Sequence, residues 1–190
     1  GLRAHTALEF SFRRAGKLVL LGDHAAMTAA AQVCTLKRQF GCDARVVTFA
    51  EAVAIEPALA HMKNQYAGAV YSENDQVGNS LEFTSGLSEW LRQNREVEFR
   101  LNTTVNRIVA RGRKLEAVET DSGALQADAV VVCLGAWSSQ MLDPLGIRTH
   151  IYPMRGYSVT LPAIGTSNSV SISDTAYKIV FSRLGDSMRI

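Results

Sequence analysis

The 190-residue chain has three cysteines, Cys34, Cys42 and Cys133, an odd number with no CxxC pair. That count supports no disulfide framework, and a thiol inside an apolar run, as at Cys133, acts as a small hydrophobe, so all three are read as reduced and structural. The four histidines, His5, His24, His61 and His150, stand isolated and make no ligand spacing with a cysteine. No metal centre is predicted. No apolar run approaches the roughly 20 residues that a bilayer-spanning helix needs. The first residues carry no signal-peptide pattern either, so a soluble chain without a transmembrane segment is expected. Charge of one sign is also lacking: 20 Lys and Arg against 18 Asp and Glu give a net charge of +2, spread along the chain. This excludes a nucleic-acid surface and a polybasic membrane anchor. The one basic cluster, Arg111, Arg113 and Lys114, sits at a predicted hairpin tip, where charge is solvated. No GxSxG elbow, P-loop or HExxH occurs, which leaves hydrolase and nucleotidase chemistry without support.

What is present begins with Ala129–Ser139, AVVVCLGAWSS. Six residues from Ala129 to Leu134 have no polar side chain, and so short and continuous an apolar run predicts a central strand of a parallel sheet, covered on both faces. Gly135 ends it, where the backbone can turn sharply and another group can approach. In open α/β sheets ligands bind at the carboxyl ends of such strands, although a buried strand ending in an ordinary turn would look the same.

Elsewhere, Leu8–Arg13 and Lys17–Leu21 around Ala15-Gly16 suggest a hairpin. Asp23 is placed to cap a helix from His24 to about Phe40, stopped by Gly41. A strand at Arg45–Phe49 and a short helix to Glu56 follow, with Pro57 as terminator. After a possible strand at Ala69–Tyr71, Asn79 or Ser80 caps the clearest amphipathic helix, reaching about Asn94, with Phe83, Leu87, Trp90 and Leu91 on one face. Val97, Phe99 and Leu101 alternate with charged residues as a half-buried strand. Val105–Ala127 reads as a three-stranded antiparallel meander. Ser138-Ser139 can cap one helical turn, and strands are expected at Ile151–Leu161 and Tyr177–Leu184, separated by a Ser/Gly-rich loop. The fold class is therefore α/β, with α and β elements mixed. The chain starts without a methionine and stops apparently within a strand, which suggests a piece of a longer protein.

The order of helix, strand, meander, apolar strand and glycine turn resembles the late half of an FAD-binding Rossmann domain. The segments GAVYSENDQVGNSLEFTSGL, VEFRLNTTVNRIV, ADAVVVCLGAWSSQMLDPLGI, YPMRGYSVTLP and DTAYKIVFSRLGD carry the resemblance further. They are similar to the D-amino-acid oxidase superfamily, and within it to the bacterial D-amino-acid dehydrogenase small subunits. The resemblance is strongest from Gly68 to Asp186. It departs from the family in two places: no GxGxxG phosphate loop is formed by any of the 14 glycines, and the later segment with the carboxylate-binding arginine is absent. The expectation is an internal slice: residues 1–72 and 150–190 from an antiparallel-sheet substrate domain, and 73–149 from the FAD-binding Rossmann-like domain.

The resemblance implies oxidative deamination of D-amino acids to 2-oxo acids and ammonia in the full-length parent. FAD is the cofactor there and is expected to be absent from this slice. An electron acceptor such as a respiratory quinone is implied, and a cytoplasmic or peripheral place at the inner face of the bacterial plasma membrane. It sets Val105, Gly135, Ala136 and Trp137 beside the cofactor, against readings as strand valine, turn residues and packed indole. It sets Tyr177 on a strand facing the flavin, its hydroxyl on the substrate carboxylate, against an ordinary strand tyrosine. Arg155 and Tyr157 are candidates for the cavity lining, whereas Lys178 and Arg183 read as solvated. No catalytic base is assigned. Two alternatives stay open: a flavin-free small-molecule binding module, and a related amine oxidase acting on glycine or sarcosine.

Overall fold

A computed structural model describes residues 2–62, 65–112, 114–164 and 168–190. Arg113 of the basic turn and residues 165–167 of the Ser/Gly-rich loop lie outside the described residues. Contacts divide the chain into two units, Gly1–Glu96 with Ser158–Ile190, and Val97–Tyr157. The contacts group Glu73–Glu96 with the N-terminal segment and His150–Tyr157 with the meander.

The first unit holds α1 (Leu2–Thr6), β1 (Arg13–Arg14), β2 (Lys17–Leu21), α2 (His24–Arg38), β3 (Arg45–Thr48), α3 (Phe49–Ile55) and a 3-10 turn at Pro57–Met62. There follow β4 (Gly68–Ser72), β5 (Gln76–Val77) and α4 (Ser80–Asn94). Its seven-stranded sheet runs β3-β4-β2 and is continued by strands from the far end of the chain. Alternation along β2 buries Leu18 and Leu20 completely or nearly so, while Lys17, Val19 and Leu21 are half-buried on the opposite face. Around them Val47, Ala52, Leu59, Tyr66, Ala69, Val170 and Ile172 complete one apolar core.

α2 and α4 start at caps the sequence predicts, whereas α3 begins one residue earlier than expected, at Phe49, from a cap at Thr48 that the sequence reading did not name. Asp23 Oδ1 accepts from the Ala26 N–H at 2.7 Å. Thr48 and Glu51 form a reciprocal capping box on α3. Asn79 Oδ1 accepts from the Leu81 and Glu82 amides at the start of α4. The predicted face of α4 is only half-buried, and no residue of that helix is buried.

The expected hairpin around Gly16 does not form. β1 pairs with β5, and β2 is flanked by β4 and by the later segment Ser171–Asp174, which runs parallel to it. Leu18 and Leu20 need neighbours on both edges of their strand, and a two-residue turn could supply only one.

The second unit contains the meander β6 (Val105–Arg111), β7 (Lys114–Thr120) and β8 (Gly123–Leu125), a 3-10 turn at Gly135–Trp137, α5 (Ser138–Leu142) and a 3-10 turn at Asp143–Leu145. Arg107 makes a two-pronged cross-strand pair with Glu119, 2.6 and 2.7 Å. Two expected strands are corrected here. Val97–Leu101 is irregular, and Ala129–Leu134 is neither a strand nor buried, with Val131 85% exposed. An extended apolar segment becomes a strand only when neighbours pair its N–H and C=O groups, and none does so among the described residues. The turn at Ser138-Ser139 is helical, but Trp137 occupies the cap position and no side chain caps it. No large apolar side chain of this unit is buried among the described residues.

The chain returns to the first unit with β9 (Thr160–Pro162), β10 (Ser171–Asp174), β11 (Ile179–Leu184) and β12 (Ser187–Arg189), giving the sheet order β3-β4-β2-β10-β11-β12-β9. Of the expected strand Ile151–Leu161 only its end is regular, and the strand expected from Tyr177 begins at Ile179.

Gly68 fixes how closely β3, β4 and α2 approach. A Cβ there would stand 2.3 Å from the Val47 carbonyl oxygen and 2.9 Å from Met27 Cε. Gly68→Ala should therefore cost about 1–3 kcal/mol, read as a lower urea midpoint at unchanged slope. Gly22→Ala, whose Cβ would meet nothing within 4 Å, should stay within about 0.5 kcal/mol of wild type. Equal midpoints for the two variants would contradict this account.

Candidate functional site

In the first unit the best-built polar feature is the turn from β10 to β11. Asp174, the last residue of β10, is 5% exposed. Its Oδ1 accepts from the backbone N–H of Ala176 at 3.0 Å and of Tyr177 at 3.1 Å, and its Oδ2 accepts from the Tyr66 hydroxyl. A buried carboxylate needs such donors, because burial without them is costly. Tyr66 belongs to the apolar core and stacks on Phe49 with ring centroids 6.4 Å apart. Burial, then the hydrogen bond to Asp174 and its negative charge, push the Tyr66 phenol up to about 12.

The turn closes with Lys178 at φ +59°, a conformation that costs a residue with a Cβ. Tyr177 itself lies in this turn and not on a strand, and is 72% exposed. The alternation Tyr177, Ile179, Phe181 suggested a longer strand, but the Asp174 carboxylate takes the amides that would have continued the ladder.

At the other end of β10 a second buried acid, Glu56, secures the entry. Its Oε2 accepts from the Ser169 N–H at 2.7 Å, the Ser169 hydroxyl at 3.1 Å and the Val170 N–H at 3.1 Å. Its Oε1 accepts from the Ala58 N–H at 3.2 Å. Arg13 donates to the Ser169 carbonyl at 2.8 Å. Sequence reasoning singled out none of Tyr66, Asp174 and Glu56; the one local signal was an aspartate directly before a turn.

In the second unit, Val105 opens β6 opposite Thr120 and is 37% exposed. Gly135 takes φ +55° and starts the 3-10 turn that carries Ala136, half-buried, and Trp137, 68% exposed. Arg155 and Tyr157 lie on an irregular, exposed segment. The structure thus groups Gly135, Ala136 and Trp137 on one turn, and leaves Val105, Arg155 and Tyr157 on other segments of the same unit. A cavity of about 630 Å³ in this unit is lined by apolar side chains, among them Ile108, Leu115, Val130, Val132, Leu142 and Ile147, and by none of the predicted site residues. Among the described residues no group of His, Cys, Asp and Glu is arranged to hold a metal.

Among the described residues, those predicted beside a flavin dinucleotide form no closed cradle, with Gly135, Ala136 and Trp137 on one turn and Val105 on β6. A Cβ on Gly135 would meet nothing within 4 Å, so the glycine answers to its φ rather than to a close neighbour. No glycine-rich loop of the GxGxxG kind is in the sequence to hold a pyrophosphate. This chain by itself does not fit the whole cofactor.

A sequence profile described as "FAD dependent oxidoreductase" (DAO) matches residues 1–190. Among curated relatives, a D-amino acid dehydrogenase of Bradyrhizobium diazoefficiens is 35% identical over 192 residues, covering 100% of this chain and 45% of the relative. One from Chromohalobacter salexigens is 35% identical over 191 residues, covering 100% of this chain and 46% of the relative. The chain thus spans about half the length of the curated relatives it matches. The fold is that of a glycine oxidase from Geobacillus kaustophilus, with a TM-score of 0.83 at 21% identity over 99% of this chain and 50% of that one. An L-proline dehydrogenase from P. horikoshii gives a TM-score of 0.80 at 19% identity over 98% of this chain and 50% of that one.

The Tyr66 phenol yields a pH prediction. Its value near 12 in the folded chain lies above the ordinary 10, so the folded state keeps a proton that the unfolded state releases in that window. The stabilisation is whole below pH 10 and is lost as pH rises from 10 through 12. Urea midpoints should fall over that range in wild type and fall less in Tyr66→Phe. Parallel slopes for the two proteins would count against the Tyr66–Asp174 bond.

Proposed function

The chain belongs to the FAD-dependent oxidoreductase family DAO, and from that premise we propose that it forms about half of an enzyme that oxidatively deaminates D-amino acids. The observation that carries the substrate class is the 35% identity, across the whole of this chain, to relatives named D-amino acid dehydrogenase. In the reaction the amino acid loses its Cα hydrogen with an electron pair and one N–H proton, giving an imino acid. Water then converts the imino acid to a 2-oxo acid and ammonia. In the parent protein FAD supplies the two-electron chemistry, and a quinone is the proposed final acceptor. We place the parent at the inner face of the bacterial plasma membrane as a peripheral protein; no helix among the described residues is long and apolar enough to cross a membrane.

In this reading the Tyr177 hydroxyl holds the substrate carboxylate, and its exposure on the β10–β11 turn leaves it open to a ligand. Arg155 and Tyr157 line the substrate cavity, and Val105, Gly135, Ala136 and Trp137 lie against the cofactor. The protein's part is to orient the Cα–H bond by fixing the carboxylate, while pocket shape selects the side chain. An amine already neutral when it reacts requires no general base from this chain. A second reading, an amine oxidase acting on glycine or sarcosine, draws on the likeness to a glycine oxidase, which is a likeness of fold.

The test is dye reduction by the full-length, FAD-loaded protein with D-amino acids, their L-enantiomers, glycine, sarcosine and L-proline. Turnover of D-amino acids above the rest is expected; activity confined to glycine and sarcosine would move the assignment to the second reading. Tyr177→Phe removes one charge-assisted hydrogen bond, about 1.5–3 kcal/mol, and should lower kcat/KM by about one to two decades for every D-amino acid alike. An unchanged kcat/KM would remove Tyr177 from the site. The 190-residue chain alone should purify without flavin absorbance, and a yellow preparation would show that it completes the cofactor site unaided.

A further inference from the structure

We propose that Asp174 is a positioning residue that fixes Tyr177 for the substrate, an inference that rests on the reading of Tyr177 as the carboxylate-binding group. The first reason is what the acceptor joins. A neutral side chain suffices to accept two turn amides, and serine, threonine and asparagine all do so on protein surfaces. Here the acceptor is an ionisable carboxyl, 5% exposed at the end of a sheet strand, in a place where a carboxylate must be satisfied on several sides. It receives three donors. Two are the consecutive amides of Ala176 and Tyr177, and the third is the hydroxyl of Tyr66, a residue 108 positions away whose ring is locked in the core against Phe49.

The carboxylate therefore joins the Tyr177 backbone to the most rigid part of the unit. β10, which carries Asp174, lies beside β2 with Asp174 opposite Leu20, itself 2% exposed. Glu56 holds the opposite end of β10 at Ser169 and Val170. Neither the strand nor the carboxylate is free to slide.

The second reason is the backbone that follows. Lys178 sits at φ +59°, and a residue with a Cβ stays in that region when its surroundings over-determine it. Between a carboxylate-pinned amide and a left-handed lysine, the Cα–Cβ bond of Tyr177 has one direction. With the Cα–Cβ bond fixed, a side chain 72% exposed keeps only its staggered χ1 and its χ2 choices. Such a group binds a small anion well only if its direction is fixed beforehand, since ordering it on binding would use up affinity.

The experiment combines amide exchange on this chain with a double-mutant cycle in the full-length, FAD-loaded protein. In Asp174→Ala, the Ala176 and Tyr177 amides should exchange at least about tenfold faster, while amides of β2 keep their protection. In the full-length protein Asp174→Ala should lower kcat/KM for D-amino acids by about tenfold, mostly through KM. Asp174→Asn, which can still accept from both amides, should recover to within about threefold of wild type. In the Tyr177→Phe background, Asp174→Ala should add less than about a twofold further loss. Losses that simply multiply would overturn the positioning role and leave a merely structural one, as would unchanged exchange at Tyr177. If Tyr177→Phe alone has no effect, the carboxylate-binding reading itself is at fault and the inference falls with it. A strong Tyr177→Phe effect with multiplying losses sinks the positioning role alone.

Discussion

The parallel pairing of β2 with β10 is the contact on which the first unit depends. It joins Lys17–Leu20 to Ser171–Asp174 across more than 150 residues of chain. Burial of Leu18 and Leu20 drives it, because a strand with fully buried side chains needs hydrogen-bonded neighbours on both edges. β4 supplies one edge and β10 the other. Short connections then lay β11 on β10 and β12 on β11, both antiparallel, and β9, which precedes β10 in the chain, pairs antiparallel with β12.

The same pairing places the unit's two buried acids. Glu56 meets the start of β10 and Asp174 ends it, and among the described residues the hydrogen-bond partners of both acids are backbone N–H groups and hydroxyls. Both carboxylates act as structural acceptors that hold one strand in register. The turn that leaves Asp174 is tied to the core by the same carboxylate, which accepts from the amides of Ala176 and of the exposed Tyr177.

The second unit obeys a different constraint. Its meander pairs antiparallel throughout, with register irregularities at Val105/Arg107 and Val109/Ala110, and Arg107–Glu119 bridges β6 and β7. The apolar residues Ala129–Leu134 have no ladder partner among the described residues, and Trp137 and Met154 stand 68% and 96% exposed. Apolar surface of this kind is ordinarily covered. The chain spans about half the length of the curated relatives it matches.

Features settled by neighbours in sequence were legible. Asp23 and Asn79 bond to amides within three residues, so the starts of α2 and α4 could be found from spacing and cap chemistry, approximately to the residue. The meander was legible for the same reason, its turns at Gly112 and Gly123 each lying between strands they join. Family membership was legible in the ordered motifs from Gly68 to Asp186. The pairings made at a distance were not. Leu8–Arg13 looked like half of a hairpin, but Arg13 paired with Val77 instead; Ala129–Leu134 had the composition of a central strand without the partners that make one. Tyr177 had the parity of a strand residue, yet its amide went to a carboxylate held by a tyrosine from 108 positions earlier. Local sequence determined the helices and the meander, because their hydrogen bonds close within a few residues. Tertiary structure alone decided the sheet order, the burial of Asp174 and the direction of Tyr177, because each depends on which distant strand takes the second edge of β2.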